Sequence, residues 1–174
     1  MIIVSNHLLS TTHVEFPDDI IVRVNLAWMK DLATAKKTLK SIKHDVYLDY
    51  PQGRSKPPRP TLSLKDALAL AKSNKNVKYF AVSNVEEPDA VKKLRASIPA
   101  HIAFVPKIET VRGVKNLSGI IAAGRITHAM LDKEDLYVDV DRNQDMFEVL
   151  IEAARSTGKA LNVHILELTG VVFA

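Results

Sequence analysis

Cysteine is absent from this 174-residue chain, aromatic side chains make up only 6% of it, and glycine occurs 6 times. Without thiols there is no disulfide, no thiolate nucleophile and no cysteine-ligated zinc. No apolar run approaches the roughly 18 residues that a membrane-spanning helix needs. The start, Met1-Ile2-Ile3-Val4-Ser5-Asn6, lacks the basic flank and long apolar core of a signal peptide. A cytoplasmic protein with no membrane attachment is therefore expected. Neither a Gly-x-Gly-x-x-Gly fingerprint nor a phosphate loop is present, which removes the glycine-rich nucleotide sites. The formal charge of +4 is scattered, with Lys36, Lys37, Lys40 and Lys43 on one segment and Arg54, Lys56 and Arg59 on another. With so few aromatics interleaved, a nucleic-acid surface is not expected; a small anionic substrate fits better.

What is present is alternation. Short Val/Ile-rich runs at Ile2–Ser5, Asp19–Ala27, Asp45–Tyr50, Val77–Ser83, His101–Ile108, Thr127–Asp132 and Ala160–Leu168 read as strands. Between most of them lie helical stripes. Leu32, Ala35, Leu39 and Ile42 make the first; Leu64, Ala67, Leu68 and Ala71 the second, opened by Ser63 as N-cap with Asp66 three residues on. Val91, Leu94 and Ile98 follow after Pro88. Val114, Leu117, Ile120 and Ile121 form the fourth, and Met146, Val149, Leu150 and Ala153 the fifth. Strand–helix alternation predicts a parallel α/β fold. Polar residues recur where strands end, namely Arg23 and Asn25, Asp49, Ser83, Lys107 and Glu109, then Asp132 and Asp135. That distribution favours a (β/α) barrel of TIM type over a doubly wound sheet. The expectation is one small or incomplete barrel domain spanning 1–174, with about seven parallel strands.

The run His101–Ile108 reads as a strand buried on both faces. Lys107 and Glu109 are two apart, so both side chains leave the same face. The next strand ends in acidic residues and reaches Asp135 just beyond. If the two strands are parallel neighbours, Glu109 and Asp135 meet at one sheet edge beside Lys107, with Asp132 a substitute ligand. Two carboxylates and an ammonium suit a hard divalent ion holding an oxyanion or enolate. Arg23 inside an apolar strand needs a partner, for which Asp49 and Glu109 are candidates. The histidines show no metal-ligand spacing; His164 alone falls where a barrel strand could face the site. Trp28 and Met29 read as packing. Residues 6–18 read as a loop, and residues 51–61 as a proline-rich basic loop. Glu134 adds bulk and charge beside Asp135.

The segment Pro106-Lys107-Ile108-Glu109-Thr110-Val111-Arg112-Gly113-Val114-Lys115-Asn116-Leu117 resembles the lysine-isoleucine-glutamate motif of the phosphoenolpyruvate/pyruvate barrel superfamily. That superfamily includes pyruvate kinase and the hydroxy-keto-acid aldolases with the citrate lyase β subunit. Leu131–Val138 looks like its later metal-binding strand end, and Val22-Arg23-Val24-Asn25 resembles the arginine-x-asparagine strand of pyruvate kinase. Tyr47–Pro51 and Tyr79–Asn84 resemble the third and fourth barrel strands. The resemblance implies Mg2+ or Mn2+ on Glu109 and Asp135, proton transfer by Lys107, and contact between Arg23 and an anionic substrate; Asn25, Asp49 and Ser83, at strand ends, are further substrate-binding candidates. The expected activity is a metal-dependent lyase or aldolase acting on a small anionic keto-acid or phosphorylated substrate. The alternative is a degenerate, non-catalytic barrel binding an anionic metabolite or a protein partner. ATP-dependent pyruvate kinase activity is not expected, because only the 51–61 loop stands where that enzyme inserts its nucleotide-covering domain. The apolar stretch Leu166–Ala174 is expected to cover a strand edge or a second copy, making a homo-oligomer.

Overall fold

The computed structural model describes residues 2–7, 16–54 and 57–167. They group into two compact units, residues 1–83 with 97–103, and residues 84–96 with 104–174. In the first unit the order is β1 (Ile3–Ser5), β2 (Ile21–Asn25), a 3-10 turn (Leu26–Trp28), α1 (Leu32–Ser41), β3 (Asp45–Tyr50), α2 (Leu64–Ser73) and β4 (Val77–Val82). Its sheet is parallel in the order β1-β2-β3-β4. Val22, Val24, Val46, Leu48 and Phe80 are fully buried, each such side chain contributing about 1.5–3 kcal/mol of transfer free energy. Buried Tyr47 stacks on Tyr79, ring centroids 6.2 Å apart. Both helices start where their caps dictate. Asp31 accepts from Thr34 N at 2.7 Å, and Ser63 with Asp66 closes a reciprocal capping box.

The second unit holds α3 (Pro88–Ser97), β5 (Ala103–Ile108), α4 (Val111–Lys115), α5 (Leu117–Gly124), β6 (His128–Leu131), α6 (Lys133–Asp139), α7 (Gln144–Ala160) and β7 (His164–Glu167). Its sheet is parallel in the order β5-β6-β7. Phe104, Val105, Ile120, Ala129, Leu131 and Ala154 form its core. Gly158 lets α7 press onto β7, since a Cβ there would stand 2.4 Å from Ile165 Cγ1.

Several boundaries differ from the sequence reading. The second strand stops at Asn25, whose side chain accepts from Ala27 N and turns the chain into the 3-10 turn. The last strand starts at His164, because α7 runs through Ala160 and closes with Val163 N donating to Gly158 O at 2.8 Å, Asn162 taking φ 54°. The fourth stripe is two helices, broken at Asn116 with φ −92° and ψ 3°. In the fifth, Met146 and Val149 are exposed, and the buried face is Leu150, Ile151, Ala154 and Gly158. α7 carries apolar residues on two faces, so period alone does not say which one packs. Residues 8–15, Lys56 and residues 168–174 lie outside the described residues, and with them much of the 6–18 loop and of the apolar stretch Leu166–Ala174.

Candidate functional site

In the second unit, Lys107 and Glu109 leave the same face at the C-terminal end of β5, with Ile108 turned the other way into the core. Parallel register sets Ile108 beside Leu131, and Asp132 N donates to Ile108 O at 3.0 Å. The acids that follow each strand, Glu109 and Asp132, are thereby brought side by side. Lys107 Nζ lies 2.7 Å from Glu109 Oε1 and 3.4 Å from Asp132 Oδ2. Asp132 also caps α6 through Asp135 N. Asp135 therefore belongs to the first turn of a helix rather than to a strand end, and it turns back toward Asp132. One ligand oxygen from each of Glu109, Asp132 and Asp135 lies within 4.8 Å of the others.

Burial decides the electrostatics. Lys107 is 5% exposed and Glu109 3%. Burial pushes the Glu109 carboxyl up from the usual glutamate range, against the pull of the Lys107 ammonium; the Asp132 charge adds to the upward push, and the Asn84 amide opposes it. Asn84 N donates to Glu109 Oε2 at 2.9 Å. Oε1 is buried with no directed hydrogen bond; its 2.7 Å approach to Lys107 is off-angle and acts through charge. A buried oxygen in that state, facing two further carboxylates, fits a hard divalent cation, which takes oxygen ligands. Glu134, expected to crowd the site, is exposed.

In the first unit, Arg23 is paired with Asp49 rather than Glu109. Its Nε and Nη2 donate to Asp49 Oδ2 at 2.9 and 2.5 Å. Asp49 Oδ1 is buried with no hydrogen bond. Asn25 spends its side-chain oxygen on the 3-10 turn. Ser83 is 6% exposed, and its amide donates to Tyr50 O at 3.1 Å. Asn25, Asp49 and Ser83 all lie at C-terminal ends of strands, where the sequence placed them.

Other candidates fall elsewhere. His164 stacks on its register partner His128, centroids 5.1 Å apart, at the start of β6 and β7, the end opposite the acids. Trp28 is 58% exposed instead of packed, meeting only the edge of His7 among described rings. Arg54 donates to the carbonyls of Pro57 and Pro58. Sequence reasoning missed the role of Asn84, whose left-handed φ of 54° aims its amide at Glu109. An asparagine directly after a strand end is the signal, since it tolerates that conformation. It also missed an open cleft of about 520 Å³ beside α4, lined by Glu86, Glu87, Arg112, Lys115 and Asp139. Asp139 sits one helical turn beyond Asp135, and its Oδ2 accepts from Val111 N at 2.7 Å.

No protein-family model matches the sequence, and no curated protein matches it either. Solved structures do. An HpcH/HpaI aldolase/citrate lyase family protein from Burkholderia cenocepacia superposes with TM-score 0.68 at 12% identity, over 86% of this chain and 71% of that one. A citrate lyase β subunit from M. tuberculosis, complexed with oxaloacetate and magnesium, gives 0.66 at 16%, over 87% and 70%. RipC from Yersinia pestis gives 0.66 at 14%, over 98% and 76%. At such identities the fold is what is shared, and it is the expected one: α/β, of TIM-barrel type. Among the described residues, no helix is long and apolar enough to cross a membrane.

Proposed function

We propose that this chain is a metal-dependent carbon–carbon lyase of aldolase type, acting on a small anionic 2-keto-acid through a pyruvate-type enolate. The observation that carries the reading is the convergence of Glu109, Asp132 and Asp135 within 4.8 Å beside the buried ammonium of Lys107. Glu109 and Asp135 would hold Mg2+ or Mn2+, which when bound supplies Lewis-acid neutralisation of developing enolate charge, an effect of several kcal/mol. The chain's own residues do the rest. Asn84 N fixes the Glu109 carboxylate, Asp132 anchors the helix that presents Asp135, and Lys107 Nζ holds or moves a proton at the reacting carbon. The family resemblance assigns substrate contact to Arg23, whose guanidinium Asp49 fixes, and Asn25, Asp49 and Ser83 are further substrate-binding candidates by their places at strand ends. The solved citrate lyase β subunit with oxaloacetate and magnesium supports both the substrate class and the metal.

The test is pyruvate release from a panel of hydroxy-keto-acids with Mg2+ or Mn2+, and again with chelator. Metal-dependent release that is lost in Glu109→Gln is the expected result. A metal-loaded protein that releases nothing from any of them overturns the catalytic reading. A second reading, a non-catalytic barrel binding an anionic metabolite or partner, draws on the mutual neutralisation of Lys107, Glu109 and Asp132. It predicts no Mg2+-dependent rise in Tm, whereas ligand at 100 times Kd stabilises a true site by about 2.7 kcal/mol.

A further inference from the structure

The acidic cradle already contains a cation, and it belongs to the chain. Nζ of Lys107 lies 2.7 Å from Glu109 Oε1 and 3.4 Å from Asp132 Oδ2, the position a shared counter-ion would take between the two carboxylates. A divalent ion sits about 2.0–2.6 Å from its oxygen ligands, so it cannot share that gap with an ammonium. Two further observations mark the gap as a cation position. Glu109 Oε1 is buried without a directed hydrogen bond, so the Lys107 charge is what balances it. Among the described residues, Glu109, Asp132 and Asp135 each bring one oxygen within 4.8 Å of the others, and the Lys107 ammonium pairs with two of them.

We propose that Lys107 is a built-in competitor for the metal ion, and that Asp132, the acid it bridges to Glu109, is the ligand over which the two compete. This rests on the metal-site reading above and adds what that reading leaves open, the occupant of the cradle before metal arrives and a third carboxylate donor. Without metal, Lys107 holds Glu109 and Asp132 together, which keeps two buried like charges from facing each other. When the ion enters, Asp132 turns from the ammonium to the metal and Lys107 is released into the site, where an amine can meet substrate. The site is then assembled by its own metal, and the affinity it displays is weakened by the displacement.

Mn2+ binding read by electron paramagnetic resonance, at fixed pH and without substrate, tests this. Lys107→Met keeps the stem and removes the charge; its Mn2+ affinity is expected to rise about tenfold over wild type. Its Tm in chelator is expected to fall below wild type and to recover with Mn2+. Asp132→Asn keeps the helix cap, since asparagine is a good N-cap. It is expected to weaken Mn2+ binding about tenfold and to abolish the gain when combined with Lys107→Met. If wild type binds Mn2+ but Lys107→Met binds it no better, competition is overturned and the metal site stands. If no variant, wild type included, binds Mn2+, the metal site itself is overturned. Should Lys107→Met not fold, lysine labelling of the wild-type protein decides the matter. Reductive methylation of Lys107, followed by peptide mass spectrometry, is expected to speed up in saturating Mn2+, and an unchanged or slower rate overturns the displacement.

Discussion

Removing Arg23 should destabilise the protein far more than removing its partner Asp49, although both changes delete the same ion pair. The asymmetry follows from burial. The Asp49 side chain is 2% exposed, whereas that of Arg23 is 21% exposed. In Arg23→Met the Asp49 carboxylate loses both of its donors, at 2.9 and 2.5 Å, and its other oxygen already has none. An uncompensated buried charge costs about 3 kcal/mol or more. In Asp49→Asn the guanidinium can still find water, and the loss is about 1–2 kcal/mol, the difference between a charge-assisted hydrogen bond and a neutral one. The double variant leaves no buried charge, so it should be nearly as stable as Asp49→Asn alone, giving a coupling of about 3 kcal/mol in a double-mutant cycle. At roughly 2–4 °C per kcal/mol for a chain of this size, Arg23→Met should melt about 6–12 °C below wild type. Circular dichroism melts with urea titrations supply the free energies. Equal losses for the two single variants, or singles that simply add, would refute the argument.

Glu167 and Gly158 give independent checks. The Arg155 guanidinium, with Lys133, holds the Glu167 carboxyl down to about 2. A carboxylate with a lowered folded pKa contributes fully above its ordinary 4.5 and loses that contribution as pH falls toward 2. Partial exposure and screening leave roughly 1 kcal/mol. The Tm gap between wild type and Glu167→Gln should therefore narrow from pH 5 downward, and a gap that stays constant would contradict the pairing. Gly158→Ala should lower Tm in spite of alanine's better helix propensity, because the new Cβ would stand 2.4 Å from Ile165 Cγ1 and 3.1 Å from Val163 O. Overpacking of this kind costs about 1–3 kcal/mol; a higher Tm would mean that α7 and β7 separate without strain.

The strand and helix order was legible in the sequence because parallel strands buried on both faces leave continuous Val/Ile runs, and Ser63 and Asp66 announce a helix start in a form no other element uses. Lys107 and Glu109 could be put on one face because strand side chains alternate with a period of two. Their register against the next strand was not written there. That register sets Ile108 beside Leu131 and so selects Asp132 as the acid from the neighbouring strand end that meets Lys107. The helix beginning at Lys133 was hidden because its short sequence, Lys-Glu-Asp-Leu-Tyr-Val-Asp, carries too few apolar positions to show a period.

The sequence alone determined the kind of element at each place and the chemical types available at strand ends, since both follow from local periodicity and side-chain identity. Only the tertiary structure decided which of those groups meet. Arg23 takes Asp49, Asn84 aims its amide at Glu109, and Lys107 lodges between two acids far apart in the chain. Pairing of charges depends on distance and burial, and both are fixed only when strands settle into register and exclude water from the groups between them.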